Sequence, residues 1–276
     1  MKKRLLMKKR LFSFLATHRR NSLVRNLDSV LIRLHKAYEN RNYNFYRNGE
    51  SEVLKKLKTI QNVNTIFDVG ANKGFWSAMA SDFFPHTTIH SFEIVPETYK
   101  RLVKKCGQQK NIVPYNIGLS DVQGTITVYY PDGKSPLATC VAGFSERFYK
   151  FQPQKVEARV STGDIFCSEN GIETIDFLKI DVEGYEHKVL QGFEGMLKKE
   201  QIKIIQFEYG FINIDTHFLL KDFYDYLSGF GMRIGKIYPS YVDFREYRYF
   251  DENFYGPNYL AVHSSCGRIM DALHEF

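Results

Sequence analysis

The sequence contains little cysteine, and its four cysteines are scattered over 276 residues, at Cys106, Cys140, Cys167 and Cys266. No two of them form a CxxC pair, and no cysteine–histidine cluster has the spacing of a zinc site. These absences exclude a zinc-finger module and a disulfide-stapled secreted scaffold. Free thiols are expected, which is typical of a protein in the reducing cytoplasm.

Long apolar runs are also absent. The sequence has no stretch of about 18 apolar residues, so we expect no helix that spans a membrane. The short run LFSFLA is too brief for the core of a secretory signal, and THRR follows it where small residues would mark a cleavage site. A cytoplasmic location is therefore the expectation.

Acidic residues are missing from the first 25 positions, which hold nine lysines and arginines. The remaining chain has 29 of the 38 basic residues against all 31 acidic ones, a net charge of −2. We therefore expect no nucleic-acid groove across the main domain. The basic segment KKRLLMKKRLFSF has two open interpretations. It is either a solvated tail or an amphipathic helix on anionic lipid at the cytoplasmic membrane surface, with Leu5, Phe12 and Leu15 on one face.

What the chain does have is apolar material for a sizeable core, because 43% of its residues are hydrophobic and 15% aromatic. Three regions are expected. Residues 1–60 form a basic, helical extension, in which leucines and a valine recur at helical spacing, at Leu23, Leu27, Val30, Leu31 and Leu34. Residues 61–265 form the main domain, and residues 266–276 a C-terminal tail.

Short β-rich runs alternate with helical stretches in the main domain. The predicted strands are 65–70, 88–93, 112–118, 176–182 and 203–209, and the predicted helices are 74–84, 96–108, 184–199 and 217–229. This alternation is typical of an α/β fold with a parallel sheet and helices on both faces. Two further strands, GTITVYY before a turn and KVEARVSTGDIF, predict an antiparallel insertion, and MRIGKIYP with NYLAVHS predicts a closing antiparallel pair.

The motif DVGANKG follows the first of these strands and places Asp68, Gly70, Asn72 and Gly74 where ligands bind in an open parallel sheet. It is neither a P-loop nor a dinucleotide motif, because GK[ST] is absent and Asn72 occupies the middle glycine position. Glu93 ends the next strand, at a spacing suited to the two hydroxyls of a ribose. The acid beside the glycine turn favours an adenosine cofactor with an amino acid head group, namely S-adenosylmethionine.

Five segments together resemble the FkbM-type family of S-adenosylmethionine-dependent O-methyltransferases: DVGANKG, SFE, NIGLSD, FLKIDVEGYEHKVLQG and IIQFEYG. The resemblance covers roughly residues 60–262. It implies a class I methyltransferase fold, a Rossmann-like, seven-stranded sheet whose last strand pair is antiparallel. It also implies methyl transfer to a hydroxyl, often on a sugar of a glycan, glycolipid or secondary metabolite. Mapped onto this chain, it implies that Asp68, Gly70, Asn72 and Gly74 frame the methionyl part and Glu93 the ribose, while Asn116, Gly118 and Leu119 flank the adenine.

Catalytic candidates concentrate in KIDVEGYEHK and at the end of the following strand. Asp181 is expected to bind the acceptor hydroxyl or the methionyl amine. Glu208 is expected to bind substrate or a metal, because an acid in an apolar run needs a partner. Together they offer the hard oxygen ligands that Mg²⁺ prefers, although the sequence has no dedicated metal motif. His187 is a candidate general base with a pKa near working pH, and His217 is a further one.

Other interpretations remain open at this level. The nine aromatic residues between Tyr238 and Tyr259 are divided between core packing and an acceptor site that stacks on sugar rings. The acceptor is expected to be a carbohydrate, either free or lipid-linked. Alternatives are an N-methyltransferase on an amino sugar or other small molecule, an NAD-linked sugar oxidoreductase or epimerase, and a non-catalytic binding module.

Overall fold

The structure, a computed structural model, describes residues 2–131 and 137–275, with side chains from Lys8 onwards. It divides into two compact units, one up to Arg41 and one from Asn42. Residues 42–60, predicted as part of the extension, thus belong to the second unit. The reason is helix α3 (Glu50–Ile60), which buries Val53, Leu54 and Leu57 completely in the core of that unit.

The first unit consists of two helices, α1 (Lys2–Thr17) and α2 (Ser22–Tyr38). Helix α2 begins after Asn21, whose side-chain oxygen accepts a hydrogen bond from the backbone N–H of Leu23 at 2.9 Å. No residue of α2 is buried, so this helix has no core of its own. Part of the predicted apolar face of the basic segment, Leu5, lies outside the described side chains.

The second unit is built on an eight-stranded sheet of order β10-β9-β11-β8-β7-β1-β2-β3. Its strands are β1 (Thr65–Val69), β2 (Thr88–Phe92), β3 (Ile112–Tyr115), β7 (Phe177–Ile180), β8 (Ile204–Gly210), β9 (Met232–Tyr238), β10 (Tyr241–Phe244) and β11 (Tyr255–His263). The first five are parallel, whereas β11 is antiparallel to both β8 and β9. The predicted α/β class is confirmed. The eighth strand, β10, is a four-residue hairpin partner of β9 that the sequence signal did not reveal.

The predicted insertion forms a separate three-stranded sheet, β4-β6-β5, from β4 (Gly118–Leu119), β5 (Gly124–Tyr130) and β6 (Gln154–Ser161). Strand β5 pairs antiparallel with β6 along the whole of its own length. The strand expected to run to Phe166 ends instead at Ser161, because the Thr162 hydroxyl accepts from the Ile165 N–H at 3.2 Å and caps a helix. The turn expected after β5 falls largely in residues outside the described range.

Helices cover both faces of the large sheet. One face carries α3, α4 (Phe75–Phe83), α5 (Pro96–Cys106) and α11 (Gly267–Leu273). The other face carries α6 (Gly163–Glu169), α7 (Glu186–Gly192), α8 (Glu194–Lys198) and α10 (Leu220–Ser228). The short helix α9 (Asn213–Thr216) follows β8. Ile66 and Phe67, neighbours on β1, belong to the two different cores, as the alternation of a strand requires. The predicted C-terminal tail contains α11, whose Ile269 and Leu273 are buried.

Candidate active site

A cavity of about 610 Å³ lies at the carboxyl ends of the parallel strands. Gly70 follows β1, Glu93 follows β2 and Asp181 follows β7, while Glu208 lies near the end of β8, and all four line the cavity. The cavity therefore lies at the edge of the sheet where ligands bind in open α/β folds.

The turn after β1 is shaped by close backbone packing. Gly70 has φ +84°, and a Cβ there would lie 1.8 Å from the Asp181 carbonyl oxygen, so only glycine fits. The N–H groups of Gly70 and Ala71 both donate to the Phe92 carbonyl, at 3.0 and 2.8 Å. Asn72 follows with φ 51°, and its Oδ1 is buried without a hydrogen-bond partner within the described protein. Gly70 and Asn72 thus present backbone and an open acceptor to the cavity.

Gly74 serves the fold rather than the cavity wall. It begins α4 with φ +79°, and a Cβ there would lie 2.6 Å from both Cys106 Sγ and Leu102 Cδ1 on α5. It is not among the cavity-lining residues. The second glycine of the motif therefore allows α4 and α5 to pack closely.

Glu93 is buried, with 6% of its surface exposed, and its Oε1 accepts from the Val95 N–H at 2.8 Å. Burial raises the pKa of Glu93 to about 7. Asn116 supports this segment from behind, because its Nδ2 donates to the carbonyl oxygens of Glu93 and Ile94, at 2.8 and 3.3 Å. Gly118 and Leu119 line the cavity, whereas Asn116 does not.

Asp68 lies beneath the cavity and not in its wall. Its carboxylate is fully buried, accepts from Ser77 Oγ at 2.6 Å and pairs with Lys179 Nζ at 3.1 Å. Lys179 also lies 3.2 Å from Asp181 Oδ2 and 5.4 Å from the centroid of the Trp76 indole. Burial lowers the pKa of Lys179, but the carboxylates around it have the greater combined effect and raise it above its ordinary value. Lys179 therefore links the buried acid to the acid at the cavity surface.

Glu50, a residue of α3 that the sequence did not single out, also lines the cavity. Its two carboxylate oxygens accept four side-chain hydrogen bonds, from Asn48 Nδ2 (2.7 Å), Asn258 Nδ2 (2.7 Å), Trp76 Nε1 (3.0 Å) and Gln206 Nε2 (2.6 Å). Burial raises its pKa. Because Trp76, Gln206 and Asn258 belong to α4, β8 and β11, Glu50 ties α3 to α4 and to the sheet.

Asp181, Glu183 and Glu208 form an acidic cluster in the cavity wall, with carboxylate oxygens within 4.8 Å of one another. Burial, and next the charge of Asp181, raises the pKa of Glu183 and of Glu208 well above ordinary values. Glu183 has φ 53°, and the Glu186 carboxylate holds its loop by accepting from the N–H groups of Val182 and Gly184, both at 3.0 Å. The acids that the sequence nominated thus meet in one place, with Glu183 as a third member.

His187 is not among the residues that line the cavity. Its ring stacks on Phe218 at a centroid distance of 4.7 Å, and burial lowers its pKa to about 4. His217 ends α9 with φ 56° and does not line the cavity either. Both histidines thus lie outside the cavity wall, whereas Asp181, Glu183 and Glu208 lie in it together with Lys179.

The aromatic wall of the cavity comes from unexpected segments. None of the nine aromatic residues between Tyr238 and Tyr259 lines it: Tyr259 is 2% exposed in the core, and Tyr249 and Phe250 are 84% and 93% exposed at the surface. The cavity instead receives aromatic side chains from other segments, at Tyr43, Phe45, Phe75, Trp76, Phe92, Phe144, Phe148, Tyr149, Tyr185 and Phe211.

Comparisons with known proteins agree with this architecture. The Methyltransferase FkbM domain family matches residues 68–234. The chain is 25% identical over 177 residues to hexuronic acid methyltransferase AglP of Haloferax volcanii, covering 63% of this chain and 69% of that protein. It is 25% identical over 143 residues to 2-O-methyltransferase NoeI of Sinorhizobium fredii, covering 49% of this chain and 59% of that one.

Among solved structures, precorrin-6y C5,15-methyltransferase of Geobacter metallireducens aligns with a TM-score of 0.42 and 13% identity, covering 77% of this chain and 86% of the other. The match of the family to more than half of the chain, together with the strand order and the glycine turn at its cavity, settles the classification. The chain belongs to the FkbM methyltransferase family and is an S-adenosylmethionine-dependent methyltransferase.

Proposed function

We propose that this enzyme transfers a methyl group from S-adenosylmethionine to a hydroxyl of a sugar, in a glycan, glycolipid or secondary metabolite. One observation carries the proposal: three acids share a cavity with the glycine turn and Glu93. A sugar hydroxyl is a weak acid, so its methylation benefits from a positioned base at the reacting oxygen.

The residues around the glycine turn fit the methyl donor. The unpartnered Oδ1 of Asn72 is an open hydrogen-bond acceptor in the cavity, and the buried Glu93 carboxylate suits the two hydroxyls of a ribose. Gly70, Asn72 and Glu93 would hold the cofactor, with Leu119 against its adenine. When bound, S-adenosylmethionine supplies an electrophilic methyl group. The protein's own part is to align the acceptor, which contributes up to about 7–11 kcal/mol in well-oriented reactions.

The acceptor proton would pass to the Asp181–Glu208 pair. Asp181 reaches the cavity with 39% of its side chain exposed, while its other side contacts Lys179. Glu208 lies beside it, and burial together with its acidic neighbours raises its pKa, which makes its carboxylate a stronger base once it is ionised. Lys179 balances part of the negative charge that the pair carries. A positioned base of this kind contributes about 10²–10⁴-fold to the rate.

Aromatic side chains support a carbohydrate acceptor. Phe148, Tyr149 and Phe211 lie in the same cavity wall and offer apolar faces to the C–H side of a sugar ring. The relatives named as a hexuronic acid methyltransferase and a 2-O-methyltransferase support the same substrate class at low identity. A lipid-linked sugar is the finer form of the proposal.

The experiment is a methyl-transfer assay with isotopically labelled S-adenosylmethionine and a panel of uronic acid, neutral and amino sugar glycosides. The proposal expects a labelled O-methyl ether on at least one glycoside, identified by NMR, and about 10²–10⁴-fold less product with Glu208→Gln. Product on nitrogen only would replace the proposal with N-methylation. Binding of NAD in place of S-adenosylmethionine, measured by calorimetry, would contradict it.

Magnesium is a separate proposal on the same three acids. Asp181, Glu183 and Glu208 could each give one oxygen to a cation, and carboxylates are ligands that Mg²⁺ prefers. The test is the same assay after treatment with EDTA. Loss of activity that Mg²⁺ restores would support a metal, and full activity in EDTA would leave the Asp181–Glu208 pair acting alone.

A further inference from the structure

Helix α2 carries a continuous apolar stripe on its surface. Six of its residues follow the spacing i, i+4, i+7, i+8, i+11 and i+15, which places them within about 100° of the helix circumference. They are Leu23 (76% exposed), Leu27 (45%), Val30 (47%), Leu31 (52%), Leu34 (62%) and Tyr38 (76%). Solvent-exposed single leucines are ordinary, but an aligned row of this length marks a contact surface.

The unit that carries the stripe has a large excess of positive charge. Residues 1–41 contain 12 lysines and arginines against two acids, Asp28 and Glu39, a net charge of +10. The rest of the chain has 26 basic and 29 acidic residues, a net charge of −3. The basic side chains Arg25 and Lys36 lie on the face of α2 opposite the stripe. The whole charge excess of the protein is thus concentrated in the unit that exposes leucines.

We propose that α2 lies on an anionic lipid surface, with the stripe of Leu23, Leu27, Val30, Leu31, Leu34 and Tyr38 in the acyl–headgroup boundary. A helix with an apolar face, a basic polar face and low overall hydrophobicity is the kind that lies in the plane of a membrane interface. The lysines and arginines of residues 1–25 add attraction to anionic headgroups. No described helix is long and apolar enough to cross a membrane, so the contact is peripheral.

Other occupants of the stripe fit less well. A nucleic acid would engage the basic side chains and leave the leucines in water. A second copy of the chain would bring two units of charge +10 together, and the 17 residues of α2 span little more than two heptads, fewer than a stable coiled coil needs. The amphipathic helix predicted for KKRLLMKKRLFSF, with Leu5, Phe12 and Leu15 on one face, stays a prediction, because the side chain of Leu5 lies outside the described residues.

The test is co-sedimentation of the full chain with vesicles of phosphatidylcholine alone or with about 30% phosphatidylserine, at about 0.15 M salt. We expect at least about tenfold tighter binding to the anionic vesicles, weakening as salt rises. The triple variant Leu27→Gln, Leu31→Gln and Leu34→Gln should bind at least about 100-fold more weakly, since each buried leucine contributes on the order of tenfold. The matched control is Ile32→Gln, on the opposite face with 40% exposure, which should bind within about twofold of the native chain.

The remaining outcomes are equally decisive. Absence of binding to anionic vesicles, or equal loss with Ile32→Gln, would overturn the proposal. A dimer in analytical ultracentrifugation that the triple variant abolishes, without vesicle binding, would assign the stripe to a second copy. Retention of RNA or DNA that survives the triple variant, again without vesicle binding, would assign the unit to nucleic acid. The vesicle measurement needs neither cofactor nor acceptor, so its failure would leave the methyl-transfer proposal standing.

Discussion

Two groups of acids at the cavity differ in how their charge is compensated, and we call them the floor and the rim. At the floor, Asp68 and Glu50 are buried acids whose oxygens are all engaged, by Lys179 and Ser77 in one case and by four side chains in the other. At the rim, Asp181, Glu183 and Glu208 crowd together, and burial, followed by the charge of Asp181, raises the pKa of Glu183 and of Glu208. A satisfied buried charge contributes to one unique structure, whereas crowded acids are poised to exchange protons. The floor therefore serves stability, and the rim serves chemistry.

The largest effect should follow from Lys179→Met. This change keeps the aliphatic volume but leaves the carboxylate of Asp68, which is 0% exposed, without its counter-charge. Breaking a buried pair on one side costs about 3–5 kcal/mol, so urea denaturation should show a loss of that size in the free energy of unfolding. Lys188→Met is the control, because Lys188 and Asp121 are 36% and 27% exposed and their pair should contribute less than about 1 kcal/mol. Equal losses in both variants would contradict a special contribution of the buried Lys179–Asp68 pair to stability.

Glu50→Gln should be the next most destabilising change. The new amide nitrogen would face two N–H donors that now share one carboxylate oxygen, and each unsatisfied donor costs about 1–3 kcal/mol. We expect a total loss of about 2–4 kcal/mol by urea denaturation. Glu52→Gln on the same helix, where the pair with Lys55 is exposed, should change stability by no more than about 0.5 kcal/mol. An unchanged free energy of unfolding in Glu50→Gln would mean that these four hydrogen bonds do not stabilise the fold.

Gly70→Ala probes the turn between floor and rim. The added methyl would collide with the Asp181 carbonyl and force a left-handed backbone on alanine, at a cost of about 1–3 kcal/mol in stability. Because the same turn lines the cavity, calorimetry should also show at least about tenfold weaker binding of S-adenosylmethionine. Gly171→Ala, with φ +64° and no atom within 4 Å of an added Cβ, isolates the backbone cost from the collision. Unchanged cofactor binding in Gly70→Ala would place the cofactor elsewhere.

The smallest effect concerns pH. Burial raises the pKa of Glu93 to about 7, so the carboxylate is mostly protonated below that pH and ionised above it. Ribose hydroxyls donate better to the ionised form, and affinity for S-adenosylmethionine should rise about tenfold between pH 6 and 8. Glu93→Gln should flatten this dependence. If the affinity of Glu93→Gln for S-adenosylmethionine still depends on pH, the titrating group is another one, and Glu183 and Glu208 would be examined first.

Motifs and strand ends in the sequence predicted those parts of the site that depend on residues close together in the chain. The turn at Gly70 and the acid at Glu93 stand at strand ends, and the strand–helix alternation was enough to bring them to one edge. The roles of Glu50 and Lys179 were not predicted, because they depend on distant partners. Gln206 is 156 positions from Glu50, and Asp68 is 111 positions from Lys179. A lysine inside the apolar run FLKI was the available signal, since a buried ammonium requires a carboxylate.

The misassigned segments have a similar cause. Helix α3 and the C-terminal α11 pack on each other and on the sheet, so neither is an appendage, although both lie outside the motif-bearing stretch. Composition predicted that the aromatic residues of 238–259 divide between core packing and the acceptor site, because composition does not show where a side chain points. Tyr259 lies in the core on β11, and Tyr249 and Phe250 lie at the surface in a short 3₁₀ helix, while other segments supply the rings of the cavity.

The most direct test of the rim as the chemical part of the site separates binding from transfer. Asp181→Asn and Glu208→Gln should each bind S-adenosylmethionine within about threefold of the native Kd by calorimetry. In single-turnover assays with an accepted glycoside, each should transfer methyl about 10²–10⁴-fold more slowly. Native transfer rates in both variants would contradict a role for these carboxylates in removing the acceptor proton.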